Sequence, residues 1–366
     1  MHVRYSPLLD QYSQPDIIFE ELKGLVASGD YTLGKPVSEF EVRFAEILGV
    51  EHAIGVGSGT DACKIPLRAV GVGYGDEVIT CANTFWATVG AICELGATPK
   101  FVDCDDSFCI DIDQIESAIT SKTKAIMPVH LTGNAANIKA VLSIADRYDL
   151  PVVEDGCQSL FSDYQGDKVG TLGTATAFSM HPLKIINVWG DAGVIVTNDS
   201  KVANTCRLLR NHGLVNRDEM VVLGYNSRLD SIQAVVGRHI LDALPWIVER
   251  RRENASILDE GFRRLSGVRL PPRDPNNNPV YLLYILFADR RDELLEHCLA
   301  NGVEAKVHYP VPIYMQKAMK FMGHSVGDFP VTDRHSRECI TLPVDQHLSR
   351  EELHYMIRVV SDFYGG

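Results

Sequence analysis

Gly55-Val56-Gly57-Ser58-Gly59-Thr60 is the stretch on which the fold turns. It closes the apolar run 53–56 and opens the helical pattern 61–70. A strand, a glycine-rich turn and a helix in immediate succession make up half of a strand–helix–strand unit. Glycines there let backbone N–H groups approach an anion, and the helix N-terminus favours a phosphate. A dinucleotide fold is the competing reading, since Asp76 and Glu77 fall about 20 residues further on. The spacing is Gly-x-Gly-x-Gly, however, not the Gly-x-Gly-x-x-Gly of dinucleotide turns, and a plain tight turn also satisfies it.

Outward from this turn the same alternation continues. Short apolar runs at 53–56, 77–80, 98–102, 125–129, 152–154 and 175–179 predict strands, and the stretches 61–70, 88–95, 112–118 and 137–148 predict helices. Continuous apolar strands alternating with helices indicate a parallel or mostly parallel sheet covered on both faces. Ligands of such sheets sit at the carboxyl ends of the strands. A long helix is expected from 227 to 265, followed by a proline- and asparagine-rich break at 270–279. A strand at 280–287, a helix near 292–301 and a closing helix from 350 then form a smaller α+β part. The expected division is a large domain over 1–241 and a small one over 242–366.

Composition narrows the function. The chain has 366 residues, the size of about two domains. Its net charge of −13 makes it a poor match for nucleic acid or an anionic membrane surface. No apolar run reaches the ~18 residues of a spanning helix, and residues 1–7 show no signal-peptide core. Nine cysteines, odd in number and without a Cys-x-x-Cys pair, argue against a disulfide framework and a structural zinc site. A reduced, cytoplasmic enzyme without a metal, a nucleic-acid partner or a membrane partner is the expectation.

Two further stretches carry chemistry. Val152-Val153-Glu154-Asp155 puts a carboxylate at a strand's carboxyl end, where it can serve as a metal ligand, a base, the partner of a protonated ring nitrogen, or merely a helix cap. His130 and Gln158 are equally open taken singly. Ala177-Phe178-Ser179-Met180-His181-Pro182-Leu183-Lys184 delivers a hydroxyl, an imidazole and an amine to one segment, with Gly190-Asp191-Ala192-Gly193 behind it. A shielded lysine acts as an amine nucleophile and forms Schiff bases, whereas an isolated one is ordinarily solvated. The combination decides. A phosphate-binding turn, an aspartate after a strand and then Ser-x-His-x-x-Lys is the order needed to hold pyridoxal 5′-phosphate (PLP), and no dinucleotide site needs that lysine.

At this point the chain resembles the DegT/DnrJ/EryC1/StrS family of PLP-dependent sugar aminotransferases. The resemblance runs through Tyr31-Thr32-Leu33-Gly34, Gly57-Ser58-Gly59-Thr60-Asp61-Ala62, Gly73-Tyr74-Gly75-Asp76-Glu77 and Thr84-Phe85-Trp86-Ala87-Thr88. It continues through Pro128-Val129-His130-Leu131-Thr132-Gly133, Glu154-Asp155-Gly156-Cys157-Gln158, Asn211-His212-Gly213, Gly224-Tyr225-Asn226-Ser227-Arg228 and His308-Tyr309-Pro310. It implies the α/β PLP-dependent transferase fold type I. The large domain, residues 1–241, would bind PLP on a mostly parallel seven-stranded sheet between helices, beside the smaller C-terminal α+β domain. It also implies a homodimer with active sites shared between subunits.

By the same resemblance Lys184 would join the cofactor as a Schiff base and shuttle a proton, and Asp155 would pair with the pyridine nitrogen. Gly59, Thr60 and Ser179 would hold the phosphate, joined by Asn226 from the partner subunit. Phe85 would stack on the ring, with Trp86 as its substitute, and Gln158 would touch the ring hydroxyl. Arg228, also from across the dimer, would take the carboxylate of the amino donor, expected to be glutamate. His181, of open role, and His308 with Tyr309 would border the sugar acceptor: a nucleotide-linked ketosugar, a ketocyclitol or a free sugar acid. Two departures from the family pattern bear on that pocket: Ala192 stands where a glycine is usual, and Ile185-Ile186-Asn187-Val188-Trp189 is bulky. The alternatives are a PLP-dependent sugar dehydratase or lyase, whose relatives carry His in place of Lys184, and a non-catalytic PLP- or sugar-binding sensor.

Overall fold

The computed structural model describes residues 1–6 and 8–365. Strands β1 (His52–Val56), β2 (Glu77–Cys81), β3 (Thr98–Val102), β4 (Thr123–Met127), β5 (Val153–Asp155), β6 (Ala175–Ser179) and β7 (Gly193–Thr197) build the main layer. β3-β2-β4 form one hydrogen-bonded group and β1-β7-β6-β5 another. Parallel bridges Ile126–Val152 and Val129–Asp155 join them edge to edge into a seven-stranded sheet of order 3-2-4-5-6-7-1. All neighbouring pairs run parallel except those of β7, which lies antiparallel to both β6 and β1.

The strands form because successive side chains find an apolar layer on either side. Ala53 of β1 belongs to the core on one face and Ile54 to the core on the other; Phe178 and Ala177 of β6 divide in the same way. Helix α1 (Gly59–Ala69) covers the second face with Ala62, Cys63, Ile65 and Leu67, none of them exposed. Ser58 caps it by accepting the Asp61 N–H at 3.1 Å.

The smaller layer is an antiparallel sheet of β8 (Val268–Arg269), β9 (Tyr284–Ala288) and β10 (Cys339–Leu342). Helix α2 (Ser231–Phe262) runs continuously from the main layer into this one, and α3 (Arg350–Phe363) packs beside it. Val3, near the start of the chain, reaches into the smaller layer's core, where it is fully buried and bridges in parallel to Val303.

The strands and helices expected before residue 180 lie within two residues of those observed, whereas the long helix expected at 227–265 spans Ser231–Phe262 and the strand expected at 280–287 spans Tyr284–Ala288. Two shifts in the main layer matter. The strand expected at 125–129 ends at Met127, and the one expected at 152–154 reaches Asp155. β7 was not among the strands read from sequence run by run. It returns directly from β6 through the lysine loop with no crossover helix, which is why it is antiparallel.

Candidate active site

Four strands of the main layer deliver their carboxyl ends to one place. β1 leads into Gly57–Thr60, β2 into Phe85 and Trp86, β5 ends on Asp155, and β6 ends on Ser179. A cavity of about 510 Å³ opens there and is lined by Gly59, Thr60, Phe85, Gln158, Ser179, His181, Lys184, His308 and Tyr309 among others. These nine include every expected cofactor- and acceptor-binding residue except Asp155, Asn226 and Arg228.

The turn after β1 works by close approach. A Cβ on Gly59 would stand 2.6 Å from the Ser179 Cβ, and one on Gly193 would stand 2.3 Å from the Ser58 carbonyl oxygen. Side chains at either position would separate the N-terminus of α1 from the end of β6. Gly59 and Thr60 are the first two residues of α1, where N–H groups have no intrahelical acceptor. They and the Ser179 hydroxyl face the same cavity, which is the donor set a phosphate requires.

Asp155 lies just beneath, 5% exposed. Thr88 donates its hydroxyl to Oδ2 at 2.6 Å, and the Cys157 N–H donates to Oδ1 at 3.1 Å. Cys63 and Cys157 crowd the same carboxylate, with ligand atoms mutually within 4.8 Å. The hydrogen bond to Cys157, and then burial, hold the Cys63 thiol well above the usual range, so it stays protonated. Behind Asp155, Glu154 accepts from Gly173 N–H and Thr176 hydroxyl, at 3.0 and 2.8 Å, and meets His130 Nε2 at 2.8 Å. His130 Nδ1 accepts the Ala136 N–H, so its Nε2 carries the proton and donates to Glu154. His130 thus ties the ends of β4 and β5 together and does not reach the cavity.

Lys184 sits in the loop between β6 and β7, half-buried, with Nζ 5.9 Å from the centroid of the Phe85 ring. The loop is braced by Met180 N–H to Ala192 O and Val188 N–H to Met180 O, at 2.9 and 3.0 Å. The N-terminal segment clamps it further, Tyr12 donating its hydroxyl to the Asn187 oxygens at 2.7 and 2.8 Å. The two departures near the lysine do not line this chain's cavity. Ala192 and residues 185–188 are buried in the core, and Trp189 packs on Tyr12 and Phe19.

Gln158 is fixed at both ends: Oε1 accepts the Thr132 N–H at 2.8 Å and Nε2 donates to the Tyr309 hydroxyl at 3.1 Å. Burial pushes the Tyr309 phenol well up, so it stays neutral. Burial, then Lys306 and Lys184, push His308 down to about 4, leaving a neutral imidazole whose Nδ1 meets the Thr341 hydroxyl at 2.9 Å. Asn226 is exposed, and Arg228 is turned to Asn211, whose Oδ1 it contacts at 3.3 Å; neither lines this chain's cavity. Sequence reasoning missed Tyr5, Arg251 and Lys306, which do line it. They lie far from the strand ends along the chain, and no local motif marks them.

An amine, a buried carboxylate at a strand end and a phosphate-type helix N-terminus around one cavity are what a phosphorylated pyridine aldehyde needs, so the residues present fit PLP. Fold and site define a PLP-dependent enzyme of fold type I. Residues 14–361 match the DegT/DnrJ/EryC1/StrS aminotransferase family, and the chain belongs to it. A pleiotropic regulatory protein of Geobacillus stearothermophilus is 39% identical over 100% of this chain and 99% of its own. A dTDP-3-amino-3,4,6-trideoxy-alpha-D-glucose transaminase of Streptomyces venezuelae is 36% identical over 98% of this chain and 96% of its own. The crystal structure of S. venezuelae DesV in complex with a ketimine intermediate superposes with a TM-score of 0.97, at 35% identity, covering 100% of this chain and 99% of that one. Solved chains of the same fold carry PMP or PLP. The protein is a PLP-dependent aminotransferase.

Proposed function

We propose that this aminotransferase moves an amino group from an amino acid, L-glutamate first among candidates, to a keto or aldehyde group of a sugar, in amino-sugar or polysaccharide biosynthesis. The acceptor is a nucleotide-linked ketosugar, or a free sugar acid or cyclitol. The observation that carries this is the convergence of Lys184, Asp155 and the α1 N-terminus on one cavity, in a chain alike over its whole length to a dTDP-sugar transaminase.

When bound, PLP supplies the electron sink that lets a proton leave the amino acid's Cα. The chain's own residues do the rest. Lys184 Nζ would hold the cofactor's aldehyde and, once the donor's amine displaces it from that carbon, would be the free amine that accepts and returns the substrate proton. Asp155, with Thr88 and the Cys157 N–H on its oxygens, presents its remaining lone pairs to a protonated ring nitrogen. The Gly59 and Thr60 amides and the Ser179 hydroxyl hold the phosphate. Phe85, flanked by Trp86 and Tyr309 at 5.0 and 6.0 Å between centroids, would pack against the ring. Gln158 reaches the ring hydroxyl, and His181, His308 and Tyr309 border the acceptor.

We assign Asn226 and Arg228 to the partner subunit's site in a homodimer. Supporting this, neither lines its own cavity. They follow a stretch whose Met220, Val221 and Leu223 are 56%, 49% and 71% exposed, an apolar surface suited to burial against a second copy. The large PLP-binding domain is assigned to 1–241 and the small domain to 242–366. Among the described residues no helix is long and apolar enough to cross a membrane, and we assign the protein to the cytoplasm.

The regulatory reading has one observation in its favour, the function ascribed to the G. stearothermophilus relative; the fully furnished site speaks for catalysis. The test is the visible spectrum of the purified protein. The cofactor-loaded form should be yellow, glutamate should bleach it while 2-oxoglutarate accumulates, and borohydride should fix the cofactor to the peptide containing Lys184. A yellow form that no amino acid bleaches would favour the lyase.

A further inference from the structure

One charged group in the cavity wall has no role in the reading above. Arg251, on α2, is 5% exposed and lines the same cavity as Lys184. Its Nε donates to Gln346 Oε1 at 3.0 Å and its Nη1 to the Tyr281 carbonyl at 3.0 Å. These acceptors are neutral, and among the described residues Nη2 has none and no carboxylate forms an ion pair with this guanidinium. Asp345, 5% exposed in the same wall, acts on Arg251 only at longer range; its own Oδ1 accepts the His347 N–H at 2.9 Å.

Burying a guanidinium without a contacting counter-charge is costly, and folding tolerates it where a ligand completes the pair. The surroundings favour an anion. Tyr5, brought in by the N-terminal segment through its N–H to Glu304 Oε2 at 2.8 Å, also lines the cavity. Lys306 lies over the Tyr5 ring at 4.1 Å from its centroid. Arg251, Tyr5 and Lys306 therefore line one cavity that also holds the neutral His308 ring.

We infer that Arg251, assisted by Lys306, is a specificity-determining subsite for a second substrate carboxylate. This rests on the transaminase reading for the identity of the substrates. Two sources share the chemistry: the side-chain carboxylate of an acidic amino donor, and the acid group of a sugar-acid acceptor. A guanidinium whose Nη2 amino group has no acceptor suits either, because its N–H donors form charge-assisted hydrogen bonds to carboxylate oxygens.

The test is calorimetric binding of glutarate and of glucuronate to the PLP-loaded wild type and to Arg251→Met and Lys306→Ala. Glutarate stands for the donor, glucuronate for the acceptor. Arg251→Met should weaken one probe by about tenfold to a hundredfold, and Lys306→Ala should weaken the same probe by a smaller factor. Which probe responds identifies the source. Lys306 is exposed, so its variant reports even if Arg251→Met fails to fold. The inference is overturned if neither probe binds the wild type, if a folded Arg251→Met binds both as the wild type does, or if Lys306→Ala changes neither. An enzyme that binds a probe through Arg251 yet transfers no amino group would instead remove the transaminase reading and leave the subsite standing.

Discussion

The Thr88 hydroxyl donates to Asp155 Oδ2 at 2.6 Å, and Thr84 Oγ1 lies 2.7 Å from Thr88 Oγ1. The helix after β2 therefore holds the carboxylate at the end of β5 in one orientation. All three side chains are buried, so water does not substitute for the bond.

Thr88→Val should lower the rate of the half-reaction with the amino donor by about tenfold to a hundredfold while PLP remains bound, because the carboxylate loses the bond that aims it. Thr88→Ser should recover most of the rate. Stopped-flow spectra of the three proteins check this, and a Thr88→Val enzyme as fast as the wild type would exclude a positioning role.

Lys184→Ala should abolish turnover, a loss of about a thousandfold or more, with PLP still captured by the phosphate and ring contacts. Borohydride should then fail to fix the cofactor to the chain, as mass spectrometry of the reduced protein would show.

Gly59→Ala drives a methyl group into the Ser179 side chain, 2.6 Å away. Relieving that overlap costs about 1–3 kcal/mol and moves the α1 N-terminus from the phosphate position. PLP affinity should fall by about tenfold or more, measured by titrating the apo-protein, with melting temperature read separately to divide binding from stability.

His308 couples stability to acid. Its folded-state value of about 4 lies below the ordinary 6.5, burial being the first cause. Between these values the unfolded chain binds more protons than the folded one, so stability rises with pH. This contribution is complete above pH 6.5 and is lost as pH falls towards 4, to about 3 kcal/mol in all. His308→Gln should flatten that part of a denaturation-midpoint profile; an unchanged slope would locate the acid sensitivity elsewhere.

The proposed homodimer, with Arg228 serving the partner subunit's site, predicts complementation. Lys184→Ala and Arg228→Ala homodimers should each be inactive. Mixed by unfolding and refolding together, they should regain about a quarter of wild-type activity, since half the dimers are mixed and each has one intact site. No recovery would place Arg228 in its own subunit's site or outside catalysis.

Much of this was legible in the sequence, for local reasons. Gly57–Thr60, Asp155 and Ser179–Lys184 each sit at a strand's carboxyl end, and the strand–helix alternation marks those ends without any knowledge of packing. The alternation of Ala53 and Ile54 between opposite cores follows from strand geometry alone. The bulky residues 185–189 are harder to read: they are near Lys184 along the chain, but the loop buries 185–188 and packs Trp189 against the core, so none lines the cavity.

The sequence by itself determined the class of sheet, the family and the succession of strand-end residues that line the cavity, because each depends on residues adjacent in the chain or on strand ends. Only the tertiary structure decided that Thr88 orients Asp155, that His130 braces Glu154 away from the cavity, and that Tyr5, Arg251 and Lys306 share a wall of it. Those relations join positions separated by as many as 301 residues, as Tyr5 and Lys306 are. Pairings at such distance are set by how the layers pack, and a one-dimensional pattern does not carry them.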